Sequence, residues 1–133
     1  MSKDGSILLG ERKNESGQWQ LPQGGIEDSE SPVEALYREM QEEVGVSDFK
    51  ILKESKDYIS YVWPPEVFQS KKYIGQKHIY FLIDGSEIQL ELLVATEEFA
   101  RFSWYSLHDA IETIIDWKRL VCIQAFQILG LIN

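Results

Sequence analysis

The chain is short of four things, and each shortage excludes something. It has one cysteine, Cys122, among 133 residues. No disulfide can form within it, which fits a cytoplasmic protein and makes Cys122 a core-packing residue. It is short of bases: 13 Lys and Arg stand against 22 Asp and Glu, a net charge of -9. Tight capture of a long polyanion needs a track of cations, so this balance weighs against it. It has no apolar run of membrane-spanning length, so no membrane partner is expected. Met1 to Gly10 lack the basic and apolar blocks of a secretory leader. Repeats and low-complexity stretches are also missing. What is present is one domain, residues 1–133, with 44% hydrophobic and 26% charged residues, enough for a real core.

The acidity is concentrated. Glu27 to Glu43 holds seven acids (Glu27, Asp28, Glu30, Glu34, Glu39, Glu42, Glu43) and one base, Arg38. Ser31 with Glu34 forms an S-x-x-E capping box, Pro32 falls at the first helical position and Gly45 supplies a stop. A helix is therefore predicted from about Pro32 to Val44. At about 100° per residue, Glu39, Glu42 and Glu43 share an arc of about 100°. Val33, Leu36, Tyr37, Met40 and Val44 form a neighbouring stripe expected to face a core. Carboxylates this close repel, and near a helix C-terminus they also oppose the dipole. A hard divalent cation relieves both problems. Oxygen ligands suit Mg²⁺ or Mn²⁺, and a cation held there can bind a diphosphate and activate water. The plainer alternative is a solvated acidic face, with Arg38 in helix salt bridges to Glu34 and Glu42. Before the helix, the loop Pro22-Gln23-Gly24-Gly25 lets backbone approach closely.

The spacing decides between these readings. Gly24, Glu30, Arg38, Glu39, Glu42, Glu43 and Gly45, with Met40 and Val46 as aliphatics, fit G-x5-E-x7-R-E-U-x-E-E-x-G-U. The seven identities recur by chance at roughly one start in 10⁸. The stretch resembles the Nudix box. That resemblance implies an α+β chain folded as an α/β/α sandwich with a mixed β-sheet. It also implies metal-dependent hydrolysis of a nucleoside diphosphate linked to something else. Glu39, Glu42 and Glu43 would hold Mg²⁺ or Mn²⁺, together with a loop carbonyl of Gln23 or Gly24. Arg38 would orient the glutamates, and Glu30 would brace the loop.

Outside the box, Trp19 to Ile26 (WQLPQGGI) resembles the W-Q-x-P-Q-G-G-I segment of bacterial RNA pyrophosphohydrolases and asymmetric diadenosine tetraphosphate hydrolases. Gly75-Gln76-Lys77-His78 is similar to their G-Q-K-Q, and Phe99 to Trp104 and Trp117-Lys118-Arg119 to later segments. Glu98 matches their P-E-F glutamate, a further metal ligand or base, although Glu97 replaces the proline. Arg12, Lys13, Lys77, Lys118 and Arg119 are candidate phosphate contacts. His78 reads as structural. Trp63, Tyr73 and Trp117 either stack on a base or cover the core. The expected substrates are 5'-triphosphorylated RNA or diadenosine tetraphosphate. A housecleaning nucleoside triphosphate pyrophosphatase and a non-catalytic nucleotide-binding module are the rivals. The family also carries a strand ahead of Ser6; by that resemblance this sequence is expected to lack it, with Met1 to Gly5 resembling its tail.

Further strands are predicted at Ser6–Arg12, Trp19–Leu21, within Lys50–Trp63, at Lys77–Ile83 and at Phe102–Tyr105. Helices are predicted from Ser106 to about Ile115 and from Asp116 to Leu129, ended by Gly130.

Overall fold

The computed structural model describes residues 1–62, 64–65, 75–114 and 116–133, without the side chains of Tyr61, Gln76 and Trp117. Trp63, Tyr73 and the side chain of Trp117 therefore lie outside the described residues. The strands are β1 (Ile7–Arg12), β2 (Trp19–Gln20), β3 (Lys50–Glu54), β4 (Ile59–Val62), β5 (Gly75–His78), β6 (Phe81–Asp84) and β7 (Phe99–Tyr105). The helices are α1 (Pro32–Glu43), α2 (Leu107–Thr113) and α3 (Asp116–Ile128).

β1 sets the architecture. Five of its residues in a row, Ile7 to Glu11, are buried, which requires cover on both faces. Its alternation divides that cover. Ile7 and Leu9 pack with Ala110, Ile114 and Cys122 from the α2–α3 side. Leu8 packs with Met40 of α1, with Val44 at its C-cap, and with Phe99 and Phe102 of β7. The result is the expected α/β/α sandwich. β1 lies between β2 and β7, while β3 pairs with β6 and β4 with β5. These ladders are antiparallel, and a parallel bridge joins Trp19 to Ile114.

Three expectations need correction. Lys77–Ile83 is not one strand: β5 ends at His78 and β6 starts at Phe81. The break comes from Ser55, whose backbone N–H donates to the Tyr80 carbonyl while its hydroxyl takes the Tyr80 N–H. Opposite this clasp Lys56 has φ 66°, so both arms of the hairpin kink together. Along α1 and its C-cap, Met40 and Val44 are buried as expected, but Val33 and Tyr37 are each 38% exposed. Tyr37 stacks on Phe49 with ring centroids 4.5 Å apart, so this end of the stripe covers a loop rather than the core. β7 begins at Phe99, earlier than Phe102, because Arg12 extends the β1 ladder to it through a register shift.

At the amino end the Met1 ammonium donates to the Ile83 carbonyl (2.9 Å), and the Gly85 N–H donates to the Met1 carbonyl (2.7 Å). These two bonds straddle Asp84, the pattern of parallel pairing. From there a cavity of about 560 Å³ runs between β1 and β6 to Gly24 and Glu39. Lys77 to Ile83 line it without a break, so a strand edge, not one face, looks into it.

Candidate metal and phosphate site

The site is built on the two ends of α1. At its start Ser31 accepts from the Glu34 N–H and Glu34 accepts from the Ser31 N–H, completing the capping box. At its end Gly45 has φ 82°, and the Gly45 N–H reaches the Met40 and Gln41 carbonyls. An L-residue with a side chain would strain that turn. The glutamates between these stops are thereby fixed in rotation about the helix.

Arg38 is the hub. Its Nε and Nη2 donate to the two Glu30 carboxylate oxygens (2.7 and 2.8 Å), and Nη2 also donates to the Gly25 carbonyl (2.7 Å). Its Nη1 donates to Glu39 (2.7 Å) and, more loosely, to Glu42 (3.4 Å). One planar fork therefore ties helix, loop and acids together. Glu30 also accepts from the Glu27 N–H, so it braces the loop as expected. Its carboxyl is held down at about 2, chiefly by Arg38. Gly24 packs directly against Glu39; a Cβ there would land inside the carboxyl group.

Glu43 has the opposite environment. It is buried, and its Oε2 accepts from the Gln23 N–H at 2.9 Å. Burial, outweighing that bond, pushes its carboxyl up to about 8, and the charges of Glu39, Glu98 and Glu42 push the same way. Three other acids thus bear on Glu43. Glu42 is 59% exposed. Glu98 lies beside Arg12, 3.8 Å from its Nη2. Among the described residues no three His, Cys, Asp or Glu side chains converge at ligand spacing. Arg38 draws Glu39 aside, the Gln23 N–H takes Glu43, and Glu42 turns to water. The donor set nevertheless fits a hard divalent cation, because it is all oxygen and mutually repulsive.

The bases divide. Lys77 is exposed at the rim of the cavity. Lys118 is buried, not a surface lysine, and its Nζ donates to the Gln20 Oε1 at 3.2 Å. Burial lowers its pKa. Gln20 escaped the sequence reading; its place in the WQ pair beside the glycine loop was the available signal. Arg12 pairs with Glu15 and Glu98, and the Lys13 Nζ donates to the Thr96 carbonyl. Arg119 is not at the site: it caps α2 by donating to the Ile111, Glu112 and Ile114 carbonyls. A base after a helix end does this work readily. His78 is half-buried, its Nδ1 lies 3.1 Å from the Tyr80 hydroxyl, and burial pushes it down to about 4. It is neutral at pH 7, in keeping with a structural role. Cys122 packs in the core as expected, its thiol pushed up to about 11 by burial.

The NUDIX domain family model matches residues 1–124. An RNA pyrophosphohydrolase from Halorhodospira halophila is 38% identical over 132 residues, covering 93% of this chain and 72% of that one. Two solved structures share the fold. The E. coli dihydroneopterin triphosphate pyrophosphohydrolase has a TM-score of 0.74 at 20% identity, covering 94% of this chain and 88% of that one. A C. elegans Ap4A hydrolase has a TM-score of 0.69 at 17% identity, covering 95% and 86%. Fold and box together define a hydrolase of phosphoric anhydride bonds. The chain belongs to the Nudix family.

Proposed function

We propose that the protein is a cytoplasmic, Mg²⁺- or Mn²⁺-dependent pyrophosphohydrolase that removes pyrophosphate from the 5' end of triphosphorylated RNA. The observation that carries this is the clamp between the WQLPQGG loop and α1, where Gln23 meets Glu43 and Gly24 meets Glu39. The relative from Halorhodospira, named an RNA pyrophosphohydrolase, supports it. The cytoplasmic setting rests on the lone, buried cysteine. A bound divalent cation would neutralise the polyphosphate and lower the cost of its developing charge.

The side chains have these roles. Glu39, Glu42, Glu43 and Glu98, with the Gln23 or Gly24 carbonyl, would hold the cation. Arg38 keeps Glu39 in place. Lys77, Lys118, Arg12 and Lys13 take the phosphate oxygens. Glu98 accepts the proton of the attacking water. A new phosphorus–oxygen bond forms, the anhydride bond breaks, and the departing phosphate carries away the electron pair. For triphosphorylated RNA the products are monophosphorylated RNA and pyrophosphate.

A second reading is asymmetric cleavage of diadenosine tetraphosphate to ATP and AMP. The acidic surface favours it, since few bases are available to follow an RNA chain. Competition between a short triphosphorylated RNA and diadenosine tetraphosphate, with Mg²⁺ or Mn²⁺ and product analysis, separates the two. Nucleoside triphosphates and nucleotide sugars complete the panel. Preference for RNA sustains the proposal, and preference for nucleotide sugars overturns both readings.

A further inference from the structure

Glu43 is the last residue of α1, so its carbonyl lies beyond the reach of the helix's own N–H groups. The Thr96 hydroxyl donates to it at 2.8 Å. The same hydroxyl accepts the Phe99 N–H (3.2 Å), while the Thr96 N–H donates to the Phe99 carbonyl (2.9 Å). Residues 96–99 are thus closed into a tight turn whose first residue grips the helix end. Glu98 sits in that turn. Lys13 buttresses it twice, from its N–H to the Glu98 carbonyl (3.0 Å) and from its Nζ to the Thr96 carbonyl (3.0 Å). Both bonds of the Thr96 hydroxyl therefore serve one relation, that between the end of α1 and the loop bearing Glu98.

Glu43 is fixed from two loops at once. The Gln23 N–H holds its carboxylate, and Thr96 holds its carbonyl. Without the Thr96 hydroxyl, Glu43 keeps its own carboxylate bond but loses its tie to Glu98. We propose that Thr96 is a positioning residue: it sets the separation of Glu43 and Glu98 so that both carboxylates serve one divalent cation. This rests on reading Glu98 as part of the site. It predicts that Thr96 affects metal affinity and turnover together and leaves substrate capture alone: its hydroxyl engages Glu43 and Phe99, it does not line the cavity, and the Lys13 bond goes to its backbone carbonyl, which every side-chain variant keeps.

The test compares Thr96→Val, Thr96→Ser and Glu98→Gln in the full chain. Mn²⁺ affinity of the substrate-free protein is read by the electron paramagnetic resonance of free Mn²⁺, beside kcat and KM. Loss of a group that orients a metal ligand costs about 10- to 100-fold. Thr96→Val is expected to weaken Mn²⁺ binding and lower kcat by about tenfold each, with KM within about twofold. Thr96→Ser, which keeps the hydroxyl, restores both. In a Glu98→Gln background Thr96→Val should add nothing, since the two act through one element. Thr96→Ala carries the same expectations and replaces Val if Val prevents folding. A defective Glu98→Gln beside a Thr96→Val with wild-type Mn²⁺ affinity overturns the positioning role alone. A silent Glu98→Gln overturns the reading of Glu98 and the clasp with it.

Discussion

Glu30 and Glu43 are the same residue type in the same motif, and their surroundings treat them in opposite ways. Glu30 is met by three donors, two of them on Arg38, and its carboxyl is held at about 2. Glu43 is met by one N–H, buried among three other acids, and pushed up to about 8. The first is a satisfied brace. The second is a frustrated ligand, held in an unfavourable state by the brace and the loop. A site that must bind a cation needs both: rigid support in one place and, in another, a buried carboxyl that only a cation makes favourable to ionise.

The comparison can be broken by removing either pole. Glu43→Gln keeps shape and loses charge. It should cut kcat by at least about 100-fold at saturating Mg²⁺, as expected for a lost metal ligand, while the fold survives. Near-normal turnover would remove Glu43 from the site. Arg38→Gln attacks the other pole. Loss of the fork should free the glycine loop from the helix, lowering kcat by about 10- to 100-fold and Tm by roughly 5 °C. A variant with low kcat and unchanged Tm would make Arg38 purely chemical rather than a brace.

Further out, Lys118→Met removes a buried ammonium at the cavity. A phosphate contact of this kind is worth about tenfold in KM, with kcat less affected. An unchanged KM would assign Lys118 to its Gln20 bond alone. The smallest effect is on the pH dependence of stability in the metal-free protein. The Glu43 value in the folded chain lies above its ordinary 4.5. Its contribution is therefore fully present below about pH 4.5 and lost as pH rises through 8. Glu30 lies below its ordinary value, so its contribution is present above pH 4.5 and lost as pH falls through about 2. Thermal melts with a chelator should show Tm falling between pH 5 and 8. Glu43→Gln should flatten that limb, and Glu30→Gln should flatten the acid limb. A Glu43→Gln variant with an unaltered alkaline limb would locate the frustration elsewhere.

The acidic helix was legible because its signals are local: a capping box, a proline, a terminal glycine and a fixed spacing. Arg38, Glu30 and the glycine loop followed from the same run. What was hidden depends on distant partners. The split of Lys77–Ile83 comes from the Ser55 hydroxyl, just beyond the end of β3. The burial of Lys118 and the capping by Arg119 are set by tertiary packing that composition does not show. The Thr96 clasp pairs residues 53 positions apart, and a lone threonine in an acidic loop gives no sign of it.

With its carboxyl pushed up to about 8 by burial, Glu43 must give up a proton at pH 7 before it can hold a cation. This is tested by counting protons when metal binds. Calorimetric titration of the substrate-free protein with Mn²⁺ at pH 7, in buffers of different ionisation enthalpy, gives the number released. A carboxyl at about 8 must lose its proton to become a ligand, so about one proton should leave per cation bound. Glu43→Gln should release none. Mn²⁺ binding by the wild-type protein without proton release would contradict the account.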